Sequence, residues 1–261
     1  MSSSPEESTY RMVLAYDGTD YHGWQYQPGV PTVSGRFAQA LEAACGARPR
    51  IVAAGRTDAG VHAHGQVVSF RLAGGVDPQQ LLRACNRHLP HDIAVRAADL
   101  APEGFDPRRD AWRRTYRYLL SPKTVLDPAQ ARYVWRVSPA LELAPMRAAA
   151  ARLIGTLDFG GFGRSPWPGG PTTRTVDMIE VLEADGLVRL DIRGDAFLRG
   201  MVRNLVGALV SFGVSRLRRP DLGEVLAPGS WGGKRWLTAP ARGLHQWRVE
   251  YHRPAMVGVL G

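Results

Sequence analysis

The pattern of apolar and polar residues predicts alternating strands and helices over the first hundred residues. Apolar side chains alternate in residues 10–16, as in a half-buried strand, whereas Phe37 and Leu41 recur at helical spacing. Asp77 followed by Pro78 is typical of a helix start, because aspartate caps free backbone amides and proline suits the first turn. The predicted elements are a strand at 10–16, a helix at 33–45, strands at about 50–54 and 65–72, a helix from 78 to about 88, and a strand at 93–100.

The same order of elements recurs after Phe105 with longer loops. Here the pattern predicts strands at 111–120, 174–184, 187–193 and 244–252, with helices at 139–153 and 195–212, the second capped by Asp195. Each half then has the order strand, helix, strand, strand, helix, strand, which is that of ferredoxin-like and RRM-like units. We therefore expect an α+β protein of two βαββαβ halves, residues 1–104 and 105–261, whose mixed, mainly antiparallel sheets form a central basic cleft.

Composition places the chain among ordinary globular proteins. It has 261 residues, of which 44% are hydrophobic and 22% charged, so disordered and collagen-like classes are excluded. No apolar run reaches the roughly 18 residues of a membrane span, and the polar start MSSSPEES does not resemble a signal peptide, so a cytoplasmic protein is expected. Cys45 and Cys85 lie within helical patterns and not at metal-site spacing, which predicts free, partly buried thiols.

Net charge points to a polyanionic partner. Lys and Arg total 33 against 24 Asp and Glu, which gives a net charge of +9 and a pI near 10.1. Only Lys123 and Lys234 are lysines, so nearly all the positive charge is arginine, which contacts phosphates bidentately and stacks on bases. Codon bias in a GC-rich genome would explain the preference for arginine equally well, but not the excess of positive charge.

One short segment carries chemistry that a turn does not explain. In GRTDAGVHAHGQVVSF, residues 55–70, Asp58 follows Arg56 between glycines, and two histidines precede an alternating apolar run. The predicted helix at 195–212 is apolar on most sides yet contains Arg203. An arginine in such a helix requires an anionic partner, because burying an unpaired charge is costly. Arg203 therefore calls for a carboxylate, and Asp58 for a cation.

A second segment, RRDAWRRTYRYLL at 108–120, interleaves arginine with tyrosine. In a strand, Arg114, Tyr116 and Tyr118 project from one face and Arg113, Thr115 and Arg117 from the other. Such a face can clamp a phosphate and stack a base; the alternative is a strand with core tyrosines and solvated arginines. The Gly- and Pro-rich loop GRSPWPGGPTTR, residues 163–174, is interpreted either as an exposed arm or as a plain connection.

Four segments, taken in order, resemble the tRNA pseudouridine synthase A family over nearly the whole chain. They are YDGTDYHGWQYQ (16–27), GRTDAGVHAHGQV (55–67), RRTYRY (113–118) and FLRGMVRNLVG (197–207), of which the second is highly specific. The resemblance implies isomerisation of uridine to pseudouridine at nucleotides 38, 39 and 40 in the tRNA anticodon stem-loop. It also implies no cofactor, no metal and no membrane association, and a homodimer that binds one tRNA across both subunits.

The resemblance also assigns roles to individual residues. Asp58 matches the nucleophile, Arg203 its ion-pair partner, Tyr116 the tyrosine that packs on the target base, and Arg56 the arginine that helps to flip the nucleotide out. Thr115 stands where an arginine is common, and RSPWPGGP at 164–171 departs from the family pattern, which leaves tRNA affinity and site choice open. The further candidate RNA contacts are Arg108, Arg109, Arg114, Arg164 and Arg174.

The implied chemistry fits a carboxylate held beside an arginine. The reaction needs an ionised aspartate at the nucleotide, and an arginine within about 4–6 Å lowers an aspartate pKa by about 1 to 3. The sequence leaves open whether Asp58 attacks C1′, removes the 2′ proton or adds to C6. His62 is expected to pack or hydrogen-bond near the loop and not to act in catalysis.

Two other functional classes fit parts of the sequence. A metal hydrolase would use Asp58, His62 and His64, which offer oxygen and nitrogen ligands, but no further Asp, Glu or His cluster completes the set. A non-catalytic RNA-binding module with paired RRM-like sheets would explain the charge and the tyrosines. In that module Asp58 would face phosphate and be repelled by it, and no catalytic function would offset this repulsion.

Overall fold

A computed structural model describes residues 7–138, 140–165, 167–214, 221–227 and 237–252. These residues form two compact units. The first unit comprises residues 7–112 with 246–252, and the second comprises the described residues between 113 and 245. Both combine α-helices with mainly antiparallel strands, which confirms the α+β class.

The elements of the first unit follow the predicted order. The β1, β3 and β4 strands lie side by side in the order β4-β1-β3, with β2 also paired to β3, and all these pairs are antiparallel. In this register Met12 is opposite both Val68 and Ala98. The bounds are β1 Glu7–Tyr16, α1 Val33–Cys45, β2 Val52–Ala53, β3 His62–Ala73, α2 Pro78–His88 and β4 Ile93–Leu100.

The helices of the first unit begin where the sequence predicts, because both have side-chain caps. Asp77 accepts a hydrogen bond from the amide of Gln80, and Pro78 occupies the first turn of α2. Apolar side chains of β1 and β3 pack with those of both helices in one core, to which α1 contributes Phe37 and Leu41. Cys85 is buried in this core and Cys45 lies at its edge, and both are free thiols, as predicted.

The second unit has four antiparallel strands and a fifth, short strand. Its strands run in the order β5-β9-β8-β7 with antiparallel neighbours, and β6 pairs with β5 in parallel. The α3 helix packs against α4 and β8. The bounds are β5 Ala111–Ser121, β6 Trp135–Arg136, α3 Leu143–Ala151, β7 Gly155–Asp158, β8 Thr173–Ala184, β9 Leu187–Gly194, α4 Met201–Gly213 and α5 Leu222–Leu226.

The last described strand, β10 (Leu244–Tyr251), returns to the first unit. It lies next to β3, and its residues 246–251 belong to the first unit. A carbonyl of β10 approaches so closely that a Cβ atom at Gly65 would lie 2.7 Å from the oxygen of Trp247. The predicted division at residue 104, which places this strand in the C-terminal half, stays a prediction.

Several predicted bounds were wrong, and the largest error concerns the helix of Arg203. That helix begins at Met201 and not at Asp195, because Gly200 is in the left-handed conformation (φ 76°), which ends any continuous helix. The Asp195 carboxylate accepts hydrogen bonds from the amides of Thr175 and Ala196 instead of capping the helix. The helix predicted at 139–153 is shorter, and the strand predicted at about 50–54 contracts to Val52–Ala53.

The prediction that α4 is an interior helix is confirmed. Of its thirteen residues, eleven are buried, and Arg203 is one of the two that are not. Across the described ranges, no helix combines the length and the apolar character that crossing a bilayer would require.

Candidate active site

Asp58 lies on the loop between β2 and β3, and a second loop segment holds its neighbour Thr57 in place. This holding segment consists of residues 16–24, from the end of β1 onward. The hydroxyls of Tyr16 and Thr57 are 2.9 Å apart and hydrogen-bonded in a buried position. The amide of Trp24 donates to the carbonyl of Thr57 at 3.1 Å. Residue 57 is therefore fixed through both its side chain and its backbone.

Glycines let the two segments approach at backbone contact distance. A Cβ atom at Gly18 would lie 2.0 Å from the carbonyl oxygen of Val61, and one at Gly23 would lie 2.6 Å from that of Thr57. Gly23 also has a φ of 84°, which side chains rarely permit. Only glycine fits at these two positions, so the holding segment and the Asp58 loop form one closely packed structure.

The two histidines after the loop have structural contacts. His62 is 2% exposed, and its Nδ1 accepts a hydrogen bond from the amide of Gly18 at 3.1 Å. Asp17 Oδ1 lies 3.1 Å from the same nitrogen. Because a nitrogen that accepts carries no proton, the Gly18 hydrogen bond favours a neutral ring, and the Asp17 contact is an ion pair only when the ring is protonated. His64 packs on Trp247 with ring centroids 4.4 Å apart.

A metal site at these residues has no counterpart in the described geometry. Within the described ranges, no three or more His, Cys, Asp or Glu side chains are grouped so as to hold a metal ion. His62 makes a buried hydrogen bond next to the loop, as the sequence predicts.

Asp58 itself is partly exposed, and Arg56 is exposed on the same loop. The loop therefore combines a clamped backbone with an acidic side chain that solvent and a substrate can reach. Fixed position and access are the two properties that a nucleophile or base needs.

Arg108 and Arg109 lie on a turn organised by Asp106. The Asp106 carboxylate accepts from the amides of Arg108 and Arg109 at 2.8 and 3.0 Å, and from Arg109 Nε at 3.1 Å. Burial favours the protonated carboxyl, but the two amides and the Arg109 charge outweigh it and hold the pKa of Asp106 below its usual value. The Arg109 side chain remains 79% exposed, so the turn presents positive charge to solvent.

In the second unit, Arg203 is held by the segment 237–240. Its Nε donates to the carbonyl of Ala239 at 2.8 Å, and the Ala239 amide donates back to the carbonyl of Arg203 at 3.1 Å. One turn further along α4, a Cβ atom at Gly207 would lie 1.9 Å from the carbonyl oxygen of Leu237. Thr238 also donates to the side chain of Asn204 at 2.8 Å. The segment is thus latched to α4 by hydrogen bonds and by the absence of a side chain at 207.

Tyr116 and Tyr118 share one face of β5, as predicted, but differ in their surroundings. Tyr118 is fully buried, and its hydroxyl donates to the carbonyl of Pro240 at 2.7 Å. Burial raises the pKa of Tyr118, and the charges of Arg203 and Arg242 only partly offset this effect. Tyr116 is partly exposed, and its ring meets Phe197 edge-on, with centroids 5.1 Å apart and planes at 84°. Tyr118 supports the site, whereas Tyr116 presents an aromatic surface.

The opposite face of β5 carries ion pairs, which confirms the predicted division of the strand. Arg113 Nε lies 2.9 Å from Asp177, and Arg117 Nε lies 2.8 Å from Asp191. Two further arginines, Arg189 and Arg193, contact the same two carboxylates from β9.

The remaining predicted RNA contacts lie in three different settings. Arg114 is only 9% exposed and donates to the carbonyl of Asp195. Arg164 is exposed and forms a two-bond backbone bridge with Arg199. Arg174 donates to the carbonyls of Pro171 and Thr173, and burial lowers its pKa.

The sequence pattern did not identify the residues that hold these side chains. The segments at 16–27 and 55–67 contain Tyr16, Gly18 and Thr57. Nothing in the spacing of these residues shows that they touch. The signal for Gly207 was weaker still, since a glycine inside an apolar helix is ordinarily read only as a lower helix propensity.

Comparison with known proteins gives consistent matches. A family model described as tRNA pseudouridine synthase matches residues 12–108 and 149–252. Proteins named tRNA pseudouridine synthase A are similar to this chain: that of Syntrophotalea carbinolica is 40% identical over 94% of this chain and 96% of its own, and that of Pseudothermotoga lettingae 38% identical over 93% and 99%. That of one Neisseria gonorrhoeae strain is 40% identical over 81% of this chain and 80% of its own.

Proposed function

The chain belongs to the tRNA pseudouridine synthase family, and we propose that it isomerises uridine to pseudouridine at nucleotides 38, 39 and 40 in the anticodon stem-loop of tRNA. The reaction breaks the bond between N1 and C1′, turns the uracil and joins C5 to C1′. N1 gains a proton and the hydrogen on C5 leaves as a proton, so no oxidant or further reactant is consumed.

Asp58 is the proposed nucleophile or base. The observation that supports this role is the clamped loop, in which Thr57 is fixed by Tyr16 and Trp24 while the Asp58 side chain stays partly exposed. A carboxylate whose backbone is fixed loses little freedom on reaching the reactive geometry, which lowers the barrier. Reaching a nucleotide in a stem requires its extrusion, at a cost of a few kcal/mol, and the exposed Arg56 is proposed to fill the vacated space.

Arg203 is proposed to pair with Asp58, and Tyr116 to pack on the target base. An arginine beside the carboxylate would keep it ionised, and the latch at 237–240 fixes the guanidinium stem. The partly exposed Tyr116 ring, supported edge-on by Phe197, suits stacking against a flipped base.

The larger assembly is also a proposal. The strand orders of the two units support two ferredoxin-like halves, with a basic cleft for tRNA. The exposed Arg108, Arg109 and Arg164 are proposed phosphate contacts, while the burial of Arg114 and the carbonyl bonds of Arg174 suit support of nearby backbone. Family membership supports a homodimer, which sedimentation of the free protein would test.

Tritium release from tRNA labelled as [5-³H]uridine tests the proposal, because the C5 hydrogen is lost only when C5 bonds to C1′. Wild-type protein should release tritium without added metal or cofactor, and Asp58→Asn should release less than a few per cent of that amount. Asp185→Asn is the matched control, since residue 185 has a φ of 54° that asparagine accommodates. Binding of tRNA by Asp58→Asn should stay within about tenfold of wild type, because phosphate contacts supply most affinity.

Each outcome has a separate meaning. No release by wild type would contradict the function and would favour the non-catalytic RNA-binding module. Release by wild type together with substantial release by Asp58→Asn would contradict only the assignment of Asp58.

A further inference from the structure

The loop between β7 and β8 carries a large aromatic side chain on its surface. Trp167 is 56% exposed, although tryptophan is ordinarily among the more buried residues of a domain. Pro168 follows it in the sequence, and the residue before a proline has a restricted backbone. A tryptophan with little backbone freedom loses little entropy when a partner covers it, which favours tight contact.

The loop folds back beneath the indole. The amide of Gly170 donates to the carbonyl of Trp167 at 3.1 Å. A Cβ atom at Gly170 would lie 2.7 Å from Trp167 Nε1 and 2.2 Å from the hydroxyl of Ser165. The indole edge therefore rests on a glycine that leaves space for it. The Trp167 ring is held in a defined place on the loop and does not hang freely in solvent.

The base of the loop is fastened to the residues that lead into α4. Arg164 and Arg199 exchange two backbone hydrogen bonds of 3.0 and 3.1 Å. A Cβ atom at Gly163 would lie 2.6 Å from the Cβ of Leu198, so the chains touch there. Asn204, next to Arg203 on α4, donates to the carbonyl of Phe162 at 2.6 Å. The loop is thereby anchored to the helix that carries Arg203.

Charge at the loop base indicates which partner the indole meets. Arg164 and Arg199 lie side by side across their backbone bridge, and Arg174 stands at the other end of the loop. A second copy of this chain, with a net charge of +9, would bring more positive charge to the same place. A nucleic acid brings phosphates, and its unpaired bases stack on aromatic rings.

We propose that Trp167 is a stacking platform for one unpaired base of the bound tRNA, other than the uridine that is isomerised, with Arg164 and Arg199 near the adjoining phosphates. This inference rests on the proposed function, since it takes tRNA as the ligand. It assigns a binding role to a loop in which the proposed function otherwise names only Arg164 and Arg174.

The first experiment measures tRNA affinity and tritium release for Trp167→Ala, Trp167→Leu and Trp167→Phe. Stacking on a base predicts about tenfold weaker binding for Ala and Leu, and less than about threefold for Phe, which keeps an aromatic face. The slope of log affinity against log salt should be unchanged, because no charge is removed, whereas Arg164→Ala should lower it by about one. Val125→Ala, at a residue that is 80% exposed, is the control for trimming a surface apolar side chain.

The second experiment identifies the base. An abasic nucleotide is placed in turn at each unpaired position of the anticodon arm, and affinity is measured with wild type and Trp167→Ala. At the stacked position the two changes should not add, because each removes the same contact. Additive losses at every position, equal affinity of Trp167→Leu and wild type, or a change in sedimentation in place of tRNA affinity would overturn the proposal. Absence of tritium release by wild type would instead overturn the proposed function.

Discussion

The Asp58 loop and the Arg203 helix are fixed by the same device in two different kinds of structure. In the first unit, Gly18 allows the carbonyl of Val61 to approach to 2.0 Å from where a Cβ atom would be. In the second unit, Gly207 admits the carbonyl of Leu237 at 1.9 Å. In each case the absent side chain lets a distant backbone segment touch the element that carries the functional residue.

The difference between the two regions is in how the side chain is then held. Arg203 sits on a regular helix, and its own Nε is bonded to the segment that Gly207 admits. Asp58 sits on a loop with no helix or strand of its own, and it is fixed through Thr57, whose side chain and carbonyl are both bonded. A loop residue therefore needs support on its neighbours, whereas a helical residue needs only one partner for its side chain.

The largest expected effect comes from breaking the proposed ion pair between Asp58 and Arg203, which takes one residue from each region. Arg203→Met and Asp58→Asn should each abolish tritium release, and Arg203→Lys should restore it only partly, since a point charge lacks the planar fork of arginine. Thermal stability of both single variants and of the double variant gives a double-mutant cycle. Residues in contact give coupling energies of about 0.5–3 kcal/mol, and this range is expected at neutral pH.

The cycle also separates the energy of the proposed Asp58–Arg203 ion pair from that of the hydrogen bond between Arg203 and Ala239. Arg203→Met removes the hydrogen bond to Ala239 in both arms of the cycle, so that loss cancels. A coupling energy of zero within error would mean that the two side chains do not meet, and the proposed ion pair would have to be abandoned.

Gly18→Ala should destabilise the protein strongly and remove activity. The new Cβ would overlap a backbone oxygen that cannot rotate away, and overpacking typically costs about 1–3 kcal/mol and occasionally more. Gly29→Ala is the control for an added Cβ that meets no atom, because nothing lies within 4 Å of it and the only cost is the backbone penalty of about 1 kcal/mol at its φ of 79°, a conformation that Gly18 does not have. Urea unfolding measures both. Equal losses for the two variants would show that the close approach at Gly18 is unimportant.

Tyr16→Phe should reduce turnover by a smaller amount without changing tRNA affinity. The change leaves the Thr57 hydroxyl without its buried partner, at a cost of about 1 kcal/mol, and lets the Asp58 loop move. Tyr21→Phe is the control, because the Tyr21 hydroxyl donates to Asp92 and not to the loop. Stability should fall in both variants, whereas kcat should fall only in Tyr16→Phe. Similar kcat losses in both would argue that Tyr16 supports folding alone.

The smallest expected effect concerns Asp106, which organises the turn of Arg108 and Arg109. Its pKa is below the ordinary 3.8 because amide and Arg109 contacts outweigh burial, so the folded state favours the ionised form. The resulting stabilisation is present above 3.8 and is lost as pH falls through the folded pKa. Asp106→Asn should therefore flatten the acid end of the stability curve by less than about 1 kcal/mol. An unchanged acid limb, with Asp185→Asn as control, would contradict the role of these contacts.

Sequence periodicity predicted most of the fold because local patterns determine most of its elements. Asp77 and Pro78 marked the start of α2 correctly, since a cap is decided within four residues. Asp195 failed as a cap because Gly200 and the bridge from Arg199 to Arg164 compete for the same stretch, and a distant strand is invisible in local spacing. The short β6 and β7 strands have too few residues to show a period.

The roles predicted for Asp58 and Arg203 stay predictions, and the structure adds the contacts that hold these two residues in place. Asp58 and Arg203 stood out because each is a charge in a setting where charge is unusual. Their supports, Tyr16 and Ala239, carry no such mark and are recognised only when distant segments are brought together. The same holds for Phe197, which supports Tyr116.

The ion pairs on the second face of β5 divide the arginines of this chain into two populations. Arg113 and Arg193 share the carboxylate of Asp177, and Arg117 and Arg189 share that of Asp191, so two of these four positive charges are already balanced within the folded protein. Neutralising one of the four would remove an ion pair and would be measured partly as lost folding stability, although the carboxylate keeps its other arginine. A charge-scanning experiment intended to count phosphates should accordingly omit these four, and the net charge of +9 is a poor guide to the number of ions released when a polyanion binds.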